Sequence, residues 1–225
     1  MPVILNIDTA TDFASICLSK EGEVLAYQFN RQQKDHASFL QPAIKETLEQ
    51  ANLSFQQIDA IAVSNGPGSY TGLRVGLASA KGLCFAASLP LILLSTLEVM
   101  AHAALQAAPG AKFYAPMIDA RRLEVFTATY NAVGGEVEKP HAKVLEPDSF
   151  DQLLSLGDVV FSGNGAVKLK NLIKVKSHTI FTEAQHSAKD MVQLAMHHYN
   201  NQRFHDLAYS EPYYLKEFYS PSHKH

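Results

Sequence analysis

Val3-Ile4-Leu5-Asn6-Ile7-Asp8-Thr9 is a short apolar run that ends in an aspartate. Phe113-Tyr114-Ala115-Pro116-Met117-Ile118-Asp119 has the same form half a chain later. Each run reads as a buried strand. The segments after the two runs are also alike. Phe13 to Ser19 and Val24 to Phe29 read as two further strands around the Glu21-Gly22 turn; Leu123 to Tyr130 and Glu136 to Leu145 do the same around Gly134-Gly135. The hairpin glycine lies 14 residues after Asp8 in the first half and 15 after Asp119 in the second. Each half then supplies a helix and a strand that leads into an Asn-Gly loop, Asn65-Gly66 and Asn164-Gly165. A duplicated β-β-β-α-β-α unit follows from this order, and it implies two similar lobes of mixed sheet covered by helices.

Between these landmarks the reading is local. His36 to Ala51 has helical periodicity, and Pro42 either kinks that helix or marks its start. Ile58 to Asn65 is a strand. A helix runs from near Gly72 to about Ala86, with Thr71 as its cap. Leu89 to Leu93 is a strand and Ser95 to Ala107 a helix. Ala107-Ala108-Pro109-Gly110 marks the lobe boundary, giving an N-terminal lobe at 1–108 and a smaller C-terminal lobe at 109–225, whose last helix can pack back on the first lobe. Phe150 to Leu156 is helical and Asp158 to Phe161 a strand.

Bulk properties narrow the class. Of the 225 residues, 47% are hydrophobic and 18% charged, enough apolar material for a packed core and too little charge for a disordered chain. A net charge of −3 argues against a fold that grips nucleic acid by bulk electrostatics. Cys17 and Cys84 are too few for a disulfide framework. No stretch reaches the ~18 apolar residues of a membrane span, and Met1 to Thr9 has no charged region ahead of its apolar run, so a soluble cytoplasmic protein is expected.

Two helices carry more apolar surface than one sheet face requires. At 100° per residue, Arg74 and Lys81, the only charges of the second helix, lie within about 20° of each other. A broad arc of it holds small residues, including Gly72, Gly76 and Ala80. In the first helix Phe39, Leu40, Ala43, Ile44 and Thr47 belong to an apolar face of about half the circumference. One sheet face needs a stripe of only ~100°. These two faces are the expected protein–protein interface.

The chemistry-bearing residues are sparse. Gly66-Pro67-Gly68-Ser69-Tyr70 opens a glycine run that ends at a helix N-terminus, a place suited to an anion. It matches neither a P-loop nor a dinucleotide fingerprint. The bland alternative is a tight strand-to-helix turn. Two duplicated lobes resemble the actin, sugar-kinase and Hsp70 ATPase superfamily (ribonuclease H-like), in which the first hairpin of each lobe carries a phosphate loop. Asp8 and Thr9, with Asp119 and Arg121, stand in those places and make a vestigial nucleotide site. Neither hairpin has the glycine such a loop wants: one reads Asp8-Thr9-Ala10-Thr11, the other Asp119-Ala120-Arg121-Arg122. His36 lacks a second histidine one turn on, where Leu40 stands, so no metal is expected. His223 and His225 fall in a frayed tail. No catalytic residue is assigned.

Ile7 to Thr11, His36 before a helix, Gly66 to Gly76, Ser95-Thr96-Leu97, Ile118 to Arg121 and Pro212-Tyr213-Tyr214-Leu215-Lys216 together resemble the TsaB (YeaZ) family, over nearly the whole chain. The resemblance implies a non-catalytic scaffold or activator subunit. Its partner would be TsaD, the catalytic paralogue, which holds a metal on a His-x-x-x-His helix; TsaE, an ATPase, would join them. The complex transfers a threonylcarbamoyl group to N6 of adenosine 37 in tRNAs that read A-starting codons. The resemblance further implies docking through the two N-lobe helices, a homodimer when the chain is alone, indirect contact with tRNA, and no cofactor of its own, with ATP or ADP allowed at a partner interface. Two other classes compete: an autonomous nucleotide-dependent enzyme built on Asp8 and Asp119, and a metalloprotease, which a lone helical histidine argues against.

Overall fold

The computed structural model describes residues 1–30, 35–173 and 177–216; His223 and His225 lie outside them. The first half contains β1 (Val3–Asp8), β2 (Ala14–Lys20), β3 (Glu23–Asn30), α1 (His36–Gln50), β4 (Ala60–Ser64), α2 (Tyr70–Ala87), β5 (Leu91–Leu94) and α3 (Thr96–Ala107). The second half contains β6 (Phe113–Asp119), β7 (Glu124–Asn131), β8 (Glu136–Val144), α4 (Asp151–Leu154), β9 (Val159–Ser162), α5 (Ala166–Leu172), β10 (Thr179–Phe181) and α6 (Val192–Asn200).

The two sheets have the same topology. The first runs β3-β2-β1-β4-β5 and the second β8-β7-β6-β9-β10. In each, the hairpin-linked strands pair antiparallel and the last two join in parallel. The duplication therefore extends beyond the six elements expected, to a further strand and helix in each half. The chain has the two-lobed α/β fold of the actin and sugar-kinase type.

Alternation along the strands decides which helix lies where. In β1, Val3, Leu5 and Ile7 join a core with Leu40, Ala43 and Ile44 of α1 and Leu77, Ala80 and Cys84 of α2. Ile4, on the opposite face, packs with Ala62 and Ile92 beneath Val192 and Ala195 of α6. In the second sheet Phe113, Ala115 and Met117 meet Leu154 of α4 and Leu169 of α5. Tyr114, Ile118 and Tyr130 meet Leu97, Met100, Ala101 and Ala104 of α3. Thus α3, which comes after the first sheet in sequence, packs on the second, while α6 packs on the first. Each lobe is completed by a helix that lies beyond the other's strands in sequence.

Three local expectations are corrected. The second helix begins at Tyr70, not near Gly72, and its cap is Ser69, not Thr71. Ser69 is extended, and its Oγ accepts a 3.3 Å hydrogen bond from the Gly72 N–H, as an N-cap must. Pro42 neither starts nor ends α1, which runs six residues ahead of it and eight beyond. The expected helix at Phe150 to Leu156 is a single turn, Asp151–Leu154.

Candidate functional site

The lobes face each other across a cleft. Its walls are the β1–β2 loop, the glycine loop between β4 and α2, the β6–β7 turn, and Tyr213 to Lys216 of the C-terminal segment. The cavity they enclose has a volume of about 670 Å3.

The glycine loop is closed by the chain's own backbone. A Cβ at Gly68 would stand 2.2 Å from the Ala10 carbonyl oxygen, and one at Gly72 2.0 Å from that of Thr9. The Ser69 N–H donates to the Ala10 carbonyl at 2.7 Å. Glycine is required here because another main chain passes where a side chain would be. On the far side Gly66, at φ +118°, has the Tyr213 carbonyl oxygen 2.4 Å from where its Cβ would be. Tyr213 N–H donates to the Asn65 carbonyl at 2.7 Å. Pro67 is joined to Gly66 through a cis peptide bond and is buried. The run is thus a junction between loops; of its two readings, a tight turn and an anion cradle, the packing matches the first.

Asp8 is buried and engaged. Its Oδ1 accepts from the Ser64 hydroxyl at 2.6 Å and from the Ala10 N–H at 3.1 Å, and its Oδ2 lies 3.3 Å from His186 Nε2. Thr9, also buried, donates through Oγ1 to the Gly72 carbonyl. His36 is nearly buried, and its Nε2 meets the Thr11 carbonyl at 2.9 Å. It holds the same loop from the other side.

Asp119 is more open. Its Oδ1 accepts from Lys168 Nζ and from the Arg121 N–H, each at 2.6 Å. Partial burial pushes its carboxyl up, but the Lys168 bond and charge and the Arg121 N–H outweigh it and hold the carboxyl below its ordinary value. Arg121 and Arg122 both have left-handed backbones, φ 72° and 46°, where side-chain crowding favours glycine. The turn thus adopts a glycine-like shape without glycines and presents two cations.

The C-terminal segment spans the cleft. His205 bridges the edge strand β5 through Leu91. Lys81 Nζ donates to the Ser210 carbonyl at 2.9 Å, and Arg74 Nε to the Tyr214 hydroxyl at 3.1 Å. Tyr70 stacks on Tyr214, with ring centroids 5.4 Å apart, and Arg74 lies 4.0 Å over the Tyr70 ring. Lys216 pairs with Glu124 of the second lobe. The charged stripe of α2 therefore anchors this segment.

The small and apolar residues expected at an interface are mostly internal. Leu40, Ala43, Ile44, Thr47, Gly72, Gly76 and Ala80 are buried within the chain, and Phe39 is half-buried. The second surface covering the small arc of α2 is the β1–β2 loop: a Cβ at Gly76 would stand 2.2 Å from Thr9 Oγ1. The outer side of α2 presents Arg74, Ala78, Gly82 and Phe85 instead, the last 82% exposed.

Comparison with known proteins fits this geometry. A family model described as TsaD, tRNA N6-adenosine threonylcarbamoyltransferase, matches residues 23–222. The Escherichia coli K12 tRNA threonylcarbamoyladenosine biosynthesis protein TsaB is 33% identical over 95% of this chain and 94% of its own. The Bacillus subtilis TsaB is 32% identical over 83% and 82%. The chain belongs to the TsaB (YeaZ) family. A solved Pseudomonas aeruginosa structure, of a protein with similarity to peptidase YEAZ, superposes with a TM-score of 0.83 at 27% identity, covering 96% of this chain and all of that one.

Several residues that build this TsaB-family cleft carried no sequence signal. Lys168, Ser64 and His186 reach Asp119 or Asp8 from distant elements, and neither spacing nor composition marks such pairs. Tyr213, Tyr214 and Lys216 entered only through the family resemblance.

Proposed function

We propose that this chain takes part in tRNA threonylcarbamoyladenosine biosynthesis as a non-catalytic subunit. It would bind and activate TsaD, with TsaE as a third member, for threonylcarbamoyl transfer to N6 of adenosine 37. The observation that carries the reading is the closed glycine loop. The main chain of Thr9 and Ala10 occupies the space against Gly68 and Gly72, and the Ser69 N–H is already bonded there. A phosphate seated on that loop would have to displace the start of the β1–β2 loop, which is buried and hydrogen-bonded. Asp8, tied to Ser64 and beside His186, has little left to offer a metal or a nucleotide.

Docking would use the outer sides of α1 and α2. Phe85, Ala78 and Gly82 are exposed on α2, and Phe39 is half-buried on α1. Leu40, Ala43, Ile44, Thr47, Gly72, Gly76 and Ala80 would hold these helices from beneath. The same surface would serve a homodimer when TsaD is absent. Contact with tRNA would run through the partner, and any ATP or ADP would sit at a partner interface, with Asp119 and Arg121 facing the cleft as remnants of a nucleotide fold. Among the described residues no helix is long and apolar enough to cross a membrane, and a cytoplasmic location fits a partner that modifies tRNA.

The test is reconstitution. Purified TsaD and TsaE are given threonylcarbamoyl-AMP and tRNA, with and without this chain, and the modified nucleoside is measured by mass spectrometry. A rate that depends on the chain, together with a mixed complex in size-exclusion light scattering, supports the reading. An equal rate without it overturns the reading.

A further inference from the structure

Arg74 and Phe85 lie on one line of the outer side of α2. At 100° per residue they are within about 20° of each other, and about three turns, or 16 Å, apart along the axis. A partner that covers Phe85 along this helix covers Arg74 as well. The helix contains no carboxylate. Its other cation, Lys81, already spends Nζ on the Ser210 carbonyl. Arg74 is held on two sides but not neutralised. Its Nε donates to the Tyr214 hydroxyl, and its guanidinium lies over the Tyr70 ring, which is itself stacked on Tyr214. Neither contact brings a negative charge. The two terminal nitrogens of Arg74 make no hydrogen bond or ion pair among the described residues.

A guanidinium fixed at Nε and across its face still presents the edge formed by those two nitrogens. That fork matches a carboxylate. Covering the charge with an apolar partner surface would be costly, because nothing on this side of α2 pairs with it. We propose, on the docking reading above, that Arg74 is the polar anchor of the docking face and takes an aspartate or glutamate side chain of TsaD, with Tyr214 as a positioning residue that acts through it. One guanidinium balances one carboxylate. A phosphate would call for a second free cation, and Lys81 is taken. The partner's carboxylate would stand about 16 Å along the α2 axis from the place that receives Phe85. The C-terminal segment, which belongs to neither docking helix, would thereby help to set partner affinity.

The test titrates purified TsaD with the full chain by isothermal titration calorimetry at about 50, 150 and 400 mM NaCl. Arg74→Gln should weaken binding at least about tenfold at the lowest salt and flatten the salt dependence, since a charge pair is lost. Arg74→Lys, which keeps the charge without the fork, should keep the salt dependence at an intermediate affinity. Tyr214→Phe keeps the ring and removes the hydroxyl. It should weaken binding about three- to tenfold alone and not at all in the Arg74→Gln background. Both positions are exposed, so thermal melts should be unchanged. If the unaltered chain does not bind TsaD, the docking reading and this proposal fall together. Binding that is as tight or as salt-dependent with Arg74→Gln overturns this proposal alone. A Tyr214→Phe loss that persists with Arg74→Gln overturns the positioning role.

Discussion

The Thr9 hydroxyl donates a 2.7 Å hydrogen bond to the carbonyl of Gly72, and the same oxygen lies where a side chain on Gly76 would begin. One residue of the β1–β2 loop thus dictates two glycines of α2, by two different atoms. At Gly76 the obstacle is a side-chain oxygen at 2.2 Å; at Gly72 it is the Thr9 main-chain carbonyl at 2.0 Å. The two glycines should therefore respond differently to relief. Gly76→Ala alone should cost about 1–3 kcal/mol in urea unfolding, as overpacking does. Combined with Thr9→Ala it should recover much of that loss, leaving Thr9 Cβ at an ordinary 3.5 Å, with a coupling of about 1 kcal/mol or more. Gly72→Ala should be as damaging with Thr9→Ala as without it. Equal rescue at both positions would refute this assignment of atoms.

Cys17 and Cys84 are both buried, and burial pushes each thiol up to about 12. The thiolate is the reactive form, so neither should attack a disulfide reagent while the chain is folded. With 5,5′-dithiobis(2-nitrobenzoate) at pH 8, labelling is expected to track unfolding and run more than about 100-fold slower than in urea. The sign for stability comes from the same shift. A raised thiol value favours the protonated folded state, so this contribution is whole below pH 9 and is lost as pH rises from 9 toward 12. Fast labelling of one thiol in the native state would show that its side of the core opens.

Docking and folding should separate on α1 and α2. Leu40 and Ile44 lie in the core beneath the helices, at 1% and 4% exposure, while Phe85 stands outside it. Leu40→Ala is expected to cost about 2–5 kcal/mol of stability. Phe85→Asp should change stability by less than about 0.5 kcal/mol, as exposed substitutions do. It should nonetheless abolish co-elution with TsaD, because a charge would enter an apolar contact. A Phe85→Asp variant that still co-elutes and supports full modification would place the docking surface elsewhere.

How far the residues themselves led differs between the fold and the site. Apolar runs ending in Asp8 and Asp119, and turns at Gly22 and Gly134, were enough to expose the duplication, because strand and hairpin signals are local. Helical periodicity likewise exposed the breadth of the apolar arcs on α1 and α2. It could not say what covers them. The arc at Gly72 and Gly76 is closed by Thr9, more than sixty residues earlier, and an arc filled internally has the same spacing as one kept for a partner. The same limit hid Lys168 behind Asp119 and His186 behind Asp8. Those pairs exist only once the sheets bring distant segments together. The cap expected at Thr71 is Ser69 instead, because the extended backbone and the reach to the Gly72 N–H fall at that residue, which side-chain type alone does not place.

Asp119 and Lys168 give the fold an acid-sensitive link inside the second lobe. Lys168 lies on α5, and its Nζ reaches both the Asp119 carboxylate and the Glu124 carbonyl of β7. It ties the helix to the turn that holds Arg121 and Arg122 in left-handed backbones. The carboxyl lies below its ordinary value in the folded chain. Its charge therefore stabilises the fold at pH values above the ordinary aspartate range, and that contribution is lost as pH falls through the lower, folded value. Because the Asp119 side chain is 43% exposed, solvent screening keeps the effect modest. Lys168→Met keeps much of the stem packing and removes the charge. It should lower stability slightly at pH 7 and flatten the decline between about pH 5 and pH 3, measured by urea unfolding at a series of pH values. The two-dimensional NMR signals of Ala120 to Leu123 should shift in the same variant, since the turn loses its tether. An acid limb as steep in Lys168→Met as in the unaltered chain would mean that other carboxylates set it and that Asp119 contributes nothing to the pH dependence.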